Sequence, residues 1–198
     1  MNIISNRRPA FDRTTEYSHV GACITLAQWV LEECGVSETI PFSRSRPGRT
    51  ASELLKVSFN ERFTSRAGDA TFGQMRIRLS GPLWPLMSKE QRYVTIVHEA
   101  CHLVAWIRSG PAKAPHGFEW RNAMIECGVK PERTHSVDRT PILSEMGYLK
   151  ASCGCRHHFV TPAKHAKIAA QSRSYICRSC HQKLVAEAYT ESSKRYRF

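Results

Sequence analysis

The amino-acid sequence predicts an α+β protein: a small, mainly antiparallel sheet with helices, followed by a short carboxy-terminal unit of a different kind. Three observations carry this. Residues Met75 to Leu79 alternate, with Met75, Ile77 and Leu79 on one face and Arg76 and Arg78 on the other, the period of a strand. Residues 88–110 hold the start and stop signals of one long helix. The last quarter of the chain gathers four of the eight cysteines into two close pairs.

Taken in order, Thr14 to Glu33 predicts a first amphipathic helix. Val20, Ile24, Leu26, Ala27, Val30 and Leu31 recur at helical spacing, and Gly35 is placed to end it. Pro41 to Thr50, rich in Arg, Ser, Pro and Gly, reads as a basic loop or linker. Leu55 to Phe59, the region around Ala70 to Phe72, and Met75 to Leu79 are the strand candidates, with Gly68 and Gly73 supplying turns. Gly81-Pro82 breaks the chain. Ser88 and Gln91 then form a capping box for a helix that runs to Ser109, where Gly110 ends it and Pro111 bars continuation. A second helix starts after His116 and stops before Gly128, with Phe118, Trp120, Ala123, Met124 and Cys127 as its apolar positions. This divides the chain into a domain at 1–150 and a basic unit at 151–198.

Composition narrows the function. The 198 residues are 41% apolar and 23% charged, as in folded globular chains. The longest apolar stretch, Tyr93 to Ile107, contains two His and a Glu, so no membrane span is expected. The arginine pair near the start has no apolar region behind it, so no export signal is expected. The cysteines are then expected to be reduced and to bind metal rather than pair as disulfides. Net charge is +12, and residues 151–198 hold nine Lys and Arg against two Glu. That excess favours a polyanionic partner, with nucleic acid first.

Inside the long helix lies His98-Glu99-Ala100-Cys101-His102. Residues four apart on a helix stand one turn above each other, so both imidazoles reach one ion. Two imidazoles and one further ligand suit zinc, leaving a fourth position for water. Glu99 follows the first ligand and is placed to act as general base. The third ligand is His116, on the short return after the helix beside Gly117; Glu119 is the rival. Tyr148, Arg121 and His135 are candidates to steady an oxyanion.

Cys153-Gly154-Cys155 and Cys177-Arg178-Ser179-Cys180 are separated by residues 156–176. Two such knuckles read as a structural, closed zinc site, with His157, His158 or His181 as alternative ligands. So short a unit buries too little apolar surface to fold alone, so the metal would supply much of its folding energy. Around the knuckles stand Phe159 and Tyr175 among Arg156, Lys164, Lys167, Arg173 and Arg178. Rings between cations suit single-stranded nucleic acid, where bases stack and phosphates meet charge; Phe159 and Tyr175 are equally suited to the small core. Cys23, Cys34, Cys101 and Cys127 read as buried apolar residues. His19 attracts no role.

Taken together, VSFNERFTSRAGDATFGQMRIRLS leading into HEACH, then HGFEW, then the CGC and CRSC pairs resembles the SprT-like family of zinc metalloproteases. That family includes bacterial SprT proteins and the protease domain of Spartan, which cleaves proteins crosslinked to DNA. The resemblance runs from about Thr14 to Ala186. It implies a catalytic zinc on His98, His102 and His116 with Glu99 as catalytic glutamate. It also implies a structural zinc on Cys153, Cys155, Cys177 and Cys180, and proteolysis stimulated by DNA engaged near that second site. The expected protein is thus a monomeric, DNA-associated zinc endopeptidase acting on proteins bound or crosslinked to DNA, on DNA with single-stranded character. It would be cytoplasmic and nucleoid-associated in a prokaryote, nuclear in a eukaryote. The alternative is a non-enzymatic zinc-ribbon nucleic-acid-binding protein. A regulatory protease acting on a repressor shares the chemistry but finds no helix-turn-helix segment to support it.

Overall fold

Burial of Cys23, Leu26, Ala27, Val30 and Leu31 on one stripe forms α1 (Val20–Glu33). The structure is a computed structural model and describes residues 16–39, 48–111, 114–133 and 137–188. Most of the Pro41 to Thr50 loop lies outside the described residues. Residues 16–19 are not helical, so the helix begins at the first residue of its apolar pattern, Val20, and later than the expected Thr14. Ahead of it Tyr17 is fully buried, and its carbonyl accepts the Trp84 indole N–H at 2.6 Å. That hydrogen bond holds the backbone out of the helix, and His19 becomes the N-cap, its Nδ1 accepting the Ala22 N–H at 3.3 Å.

A single turn, α2 (Ala51–Leu54), is closed by a capping box of Thr50 and Glu53. Three strands follow: β1 (Lys56–Asn60), β2 (Gly68–Thr71) and β3 (Arg76–Ser80). Their spatial order is β1-β3-β2, with β3 central. β2 pairs antiparallel with β3, but β1 pairs parallel with it, so the expected mainly antiparallel sheet is in fact mixed. Alternation specifies which face a strand buries and carries no information on the direction of its partner. The face assignment holds: Ile77 and Leu79 are fully buried and Arg76 and Arg78 are not. Met75, also buried, sits at φ 46° after a 3₁₀ turn at Phe72–Gln74 and turns the chain into β3.

α3 (Lys89–Ser109) begins at the Ser88/Gln91 capping box and ends at Gly110, whose φ of 69° suits only a residue without Cβ. It packs on α1, on α4 (Phe118–Glu126) and on the sheet through β2 and β3. Ile96, Val97, Ala100, Cys101, Leu103 and Val104 are fully buried along it. Arg108, in its last turn, donates to the Cys34 carbonyl at 2.6 Å and to both Glu126 carboxylate oxygens at 2.9 and 2.7 Å. One guanidinium thereby ties the ends of three helices.

The chain divides into compact units after Val137, earlier than residue 150. The reason is β4 (Leu149–Ser152), which pairs antiparallel with β5 (His157–Val160) and β6 (Val185–Ala186) and so belongs to the cysteine-bearing unit. α5 (Thr140–Glu145) precedes it, and α6 (Pro162–Ala169) follows β5, capped by Thr161 and opened by Pro162. The core of this unit is Ala151, Cys153, Val160, Ile168, Cys177 and Leu184.

Candidate metal centres

His98 and His102 stand one turn apart on α3, and the reversal after Gly110 returns His116 to them. The Nε2 of His98 lies 3.2 Å from that of His102 and 3.1 Å from that of His116. All three histidines offer a ligand nitrogen within 4.8 Å of the others. Zinc–nitrogen bonds of about 2.0–2.1 Å in a tetrahedral array place nitrogens about 3.3 Å apart, so the donor set fits one such ion. Burial, then the neighbouring His98 and His116, hold the His102 imidazolium down to about 3. His116 is lowered as well, by burial and by the charges of Arg133 and Arg121. Uncharged rings keep the lone pairs that a metal needs. Glu119, on α4, is not part of this group.

Sequence reasoning gave Trp120 only a packing role. It is 1% exposed, and its ring centroid lies 4.8, 5.6 and 4.6 Å from those of His98, His102 and His116. Its indole N–H donates to the His98 carbonyl at 3.2 Å. The side chain is a floor against which all three imidazoles are oriented. The available signal was its position four residues after His116, on the first turn of the next helix.

Glu99 is 7% exposed, and burial pushes its carboxyl up to about 8, with Asp69 adding to the rise and Arg66 opposing it. Asp69 is itself held by Arg78 through two hydrogen bonds of 2.8 and 2.6 Å. Such a carboxylate can both take up and hold a proton near neutral pH. Of the oxyanion candidates, Arg121 is exposed on α4, Tyr148 belongs to the second unit, and His135 lies outside the described residues.

In the second unit Cys153, Cys155, Cys177 and Cys180 bring their sulfurs within 4.8 Å of one another. Cys153 and Cys155 are 3.2 Å apart, Cys155 and Cys177 3.8 Å. Zinc–sulfur bonds of about 2.3 Å require sulfurs near 3.8 Å apart in a tetrahedron, so four thiolates suit the same ion. Backbone N–H groups of Cys180 and Ser179 draw the Cys177 thiol down to about 5, towards the ligating form. His158 approaches this group, its Nε2 being 3.1 Å from Cys153 Sγ, whereas His157 pairs with Glu187 at 2.6 Å. His181 sits in the turn after Cys180 at φ 58°.

The basic residues of this unit are partly assembled. Tyr175 has the Lys164 ammonium 4.4 Å from its ring centroid and the Arg173 guanidinium 5.6 Å from it, and is itself partly buried against the core of the unit. Arg156, Lys167 and Arg178 are exposed, and Phe159 is half-buried on β5. Among the described residues no helix is long and apolar enough to cross a membrane.

Helices on a mixed sheet, with three imidazoles and a carboxylate drawn largely from one helix, define a protein of metallopeptidase-like class. The profile of the SprT-like family matches residues 41–140, and the chain belongs to that family. It is 33% identical over 138 residues to Protein SprT of Glaesserella parasuis serovar 5 (strain SH0165), covering 64% of this chain and 86% of that one. Protein SprT of Yersinia pestis is 33% identical over 138 residues, 68% of this chain and 78% of its own. Protein SprT of Shigella sonnei (strain Ss046) is 30% identical over 156 residues, 77% and 90% respectively. No solved structure matches.

Proposed function

We propose that this chain is a DNA-associated, zinc-dependent endopeptidase that cleaves proteins bound or crosslinked to DNA. The observation that carries the reading is the convergence of His98, His102 and His116 beside a buried carboxylate on the same helix. These three imidazoles would hold the catalytic zinc, and the four cysteines a structural one. When bound, the catalytic ion would supply Lewis acidity, making water acidic and a peptide carbonyl electrophilic. Glu99 takes a proton at its carboxylate from the attacking water and delivers it to the leaving amide nitrogen. Water adds across the peptide bond, the C–N bond breaks, and Glu99 is regenerated. Trp120 packs against all three imidazoles and its indole N–H holds the His98 carbonyl.

The second unit supports the nucleic-acid half of the reading. Tyr175, with Lys164 and Arg173 close to its ring, combines an aromatic side chain with two cations, a pairing that suits unpaired bases and their phosphates. Arg156, Lys167 and Arg178 extend the charge, and Phe159 adds a second ring. A place on the nucleoid follows from that preference.

The test uses one substrate protein, free and crosslinked to a single-stranded or a duplex oligonucleotide. Zinc-loaded protein is expected to cleave the single-stranded conjugate at least tenfold faster than the free form. Replacing Lys164, Arg173 and Tyr175 together with Ala is expected to remove that advantage and leave cleavage of the free form unchanged. Salt-dependent DNA binding with no cleavage of any form would leave the non-enzymatic reading in its place.

A further inference from the structure

Gly68 is a glycine without a conformational reason: its backbone is not among those at positive φ, so any residue could adopt it. The reason is space. A Cβ built there would lie 2.9 Å from Glu99 Cγ, 3.2 Å from Glu99 Oε1 and 3.1 Å from the Arg78 carbonyl oxygen. Carbon atoms in contact settle at about 3.5–4.0 Å, so the methyl group does not fit beside the side chain as it stands. The obstructing atom is Cγ, in the middle of Glu99, and it cannot retreat without swinging the carboxylate. On its other side the added carbon meets the backbone of β3.

We infer that Gly68 is a positioning residue for Glu99: its missing Cβ is the room in which the carboxylate is seated. The inference rests on reading Glu99 as the general base. It also explains the neighbouring ion pair. Gly68 pairs with Leu79 and Asp69 with Arg78, directly across the strands. A slip of one residue would turn Ala67 or Asp69 towards Glu99, and either brings a Cβ. The two hydrogen bonds from Arg78 to Asp69 oppose that slip and keep glycine opposite Glu99.

The test is a double-mutant cycle of G68A, E99A and the double variant, all zinc-loaded, read by melting temperature, with kinetics of wild type and G68A on the single-stranded conjugate. G68A is expected to lower the melting temperature by about 3–8 °C in the wild-type background and by less than a third of that when Glu99 is Ala. Its kcat is expected to fall at least tenfold, with KM and zinc content within twofold of wild type. Equal melting costs in both backgrounds, or a wild-type kcat, overturn the inference. If G68A alone does not fold, recovery of folding in the double variant supports it and continued failure to fold overturns it. A wild type that cleaves nothing defeats the general-base reading, while the melting cycle still decides whether Gly68 seats Glu99.

Discussion

The two candidate metal centres depend on their surroundings to opposite degrees. The histidines ride on a helix capped at both ends, with buried apolar residues from Tyr93 to Ala105 behind them and Trp120 beneath. Their positions are set by a core that contains no ligand. The cysteines stand in a unit whose core cluster has Cys153 and Cys177 among its buried members. There the ligands are part of the core, and charging them without a cation would cost more than so small an interior returns. One candidate site is therefore placed by a fold, and the other is part of the core of the fold it stands in.

Chelation should break the comparison most sharply. Removing metal from the full chain, or Cys177→Ser, is expected to unfold the unit at 138–188, because a structural zinc contributes on the order of 10 kcal/mol or more to such a module. In an amide correlation spectrum its resonances should collapse while those of α1, α3 and α4 keep native dispersion; simultaneous collapse of both sets would contradict the distinction. His116→Ala is expected to do the reverse. It should lose one zinc per chain by native mass spectrometry and shift melting of the chelated protein by less than about 4 °C.

Smaller, and confined to the first centre, is a dependence on pH. Burial raises Glu99 from the ordinary 4.5 to about 8, so between those values the folded chain keeps a proton that the unfolded chain has released. Its contribution to stability falls as pH rises through that window. His102, lowered to about 3, acts oppositely at acid pH and is common to both proteins compared. In chelated samples the melting advantage of Glu99→Gln over wild type should widen from pH 5 to pH 8. A constant difference would show that the carboxylate is not desolvated.

Much of the first unit was legible because its signals are local. Ser88, Gln91 and Gly110 delimit α3 by capping chemistry that acts within four residues, and the helical repeat places His98 and His102 together without reference to anything else. The direction of β1 was not legible, since it pairs with β3 rather than with β2, its neighbour in sequence, and alternation says nothing of a strand's partner. Nor was the role of Gly68, whose partner lies on another element. α6 was hidden because Lys164 and Lys167 read as nucleic-acid contacts on the chain between the cysteine pairs; Thr161 and Pro162 were its start signal. The start of α1 was set too early because nothing in the sequence shows that the Tyr17 carbonyl is taken by the Trp84 indole or that His19 is the N-cap.

The central claim is most directly tested by Glu99→Gln, which keeps the shape of the side chain and removes its ability to carry the proton. Metal content and cleavage of a DNA-crosslinked protein should be measured on the same preparation. The account predicts two zinc ions per chain, as in the parent protein, with the rate of peptide-bond cleavage reduced about 10²–10⁴-fold. Undiminished cleavage by the fully metallated variant would contradict it.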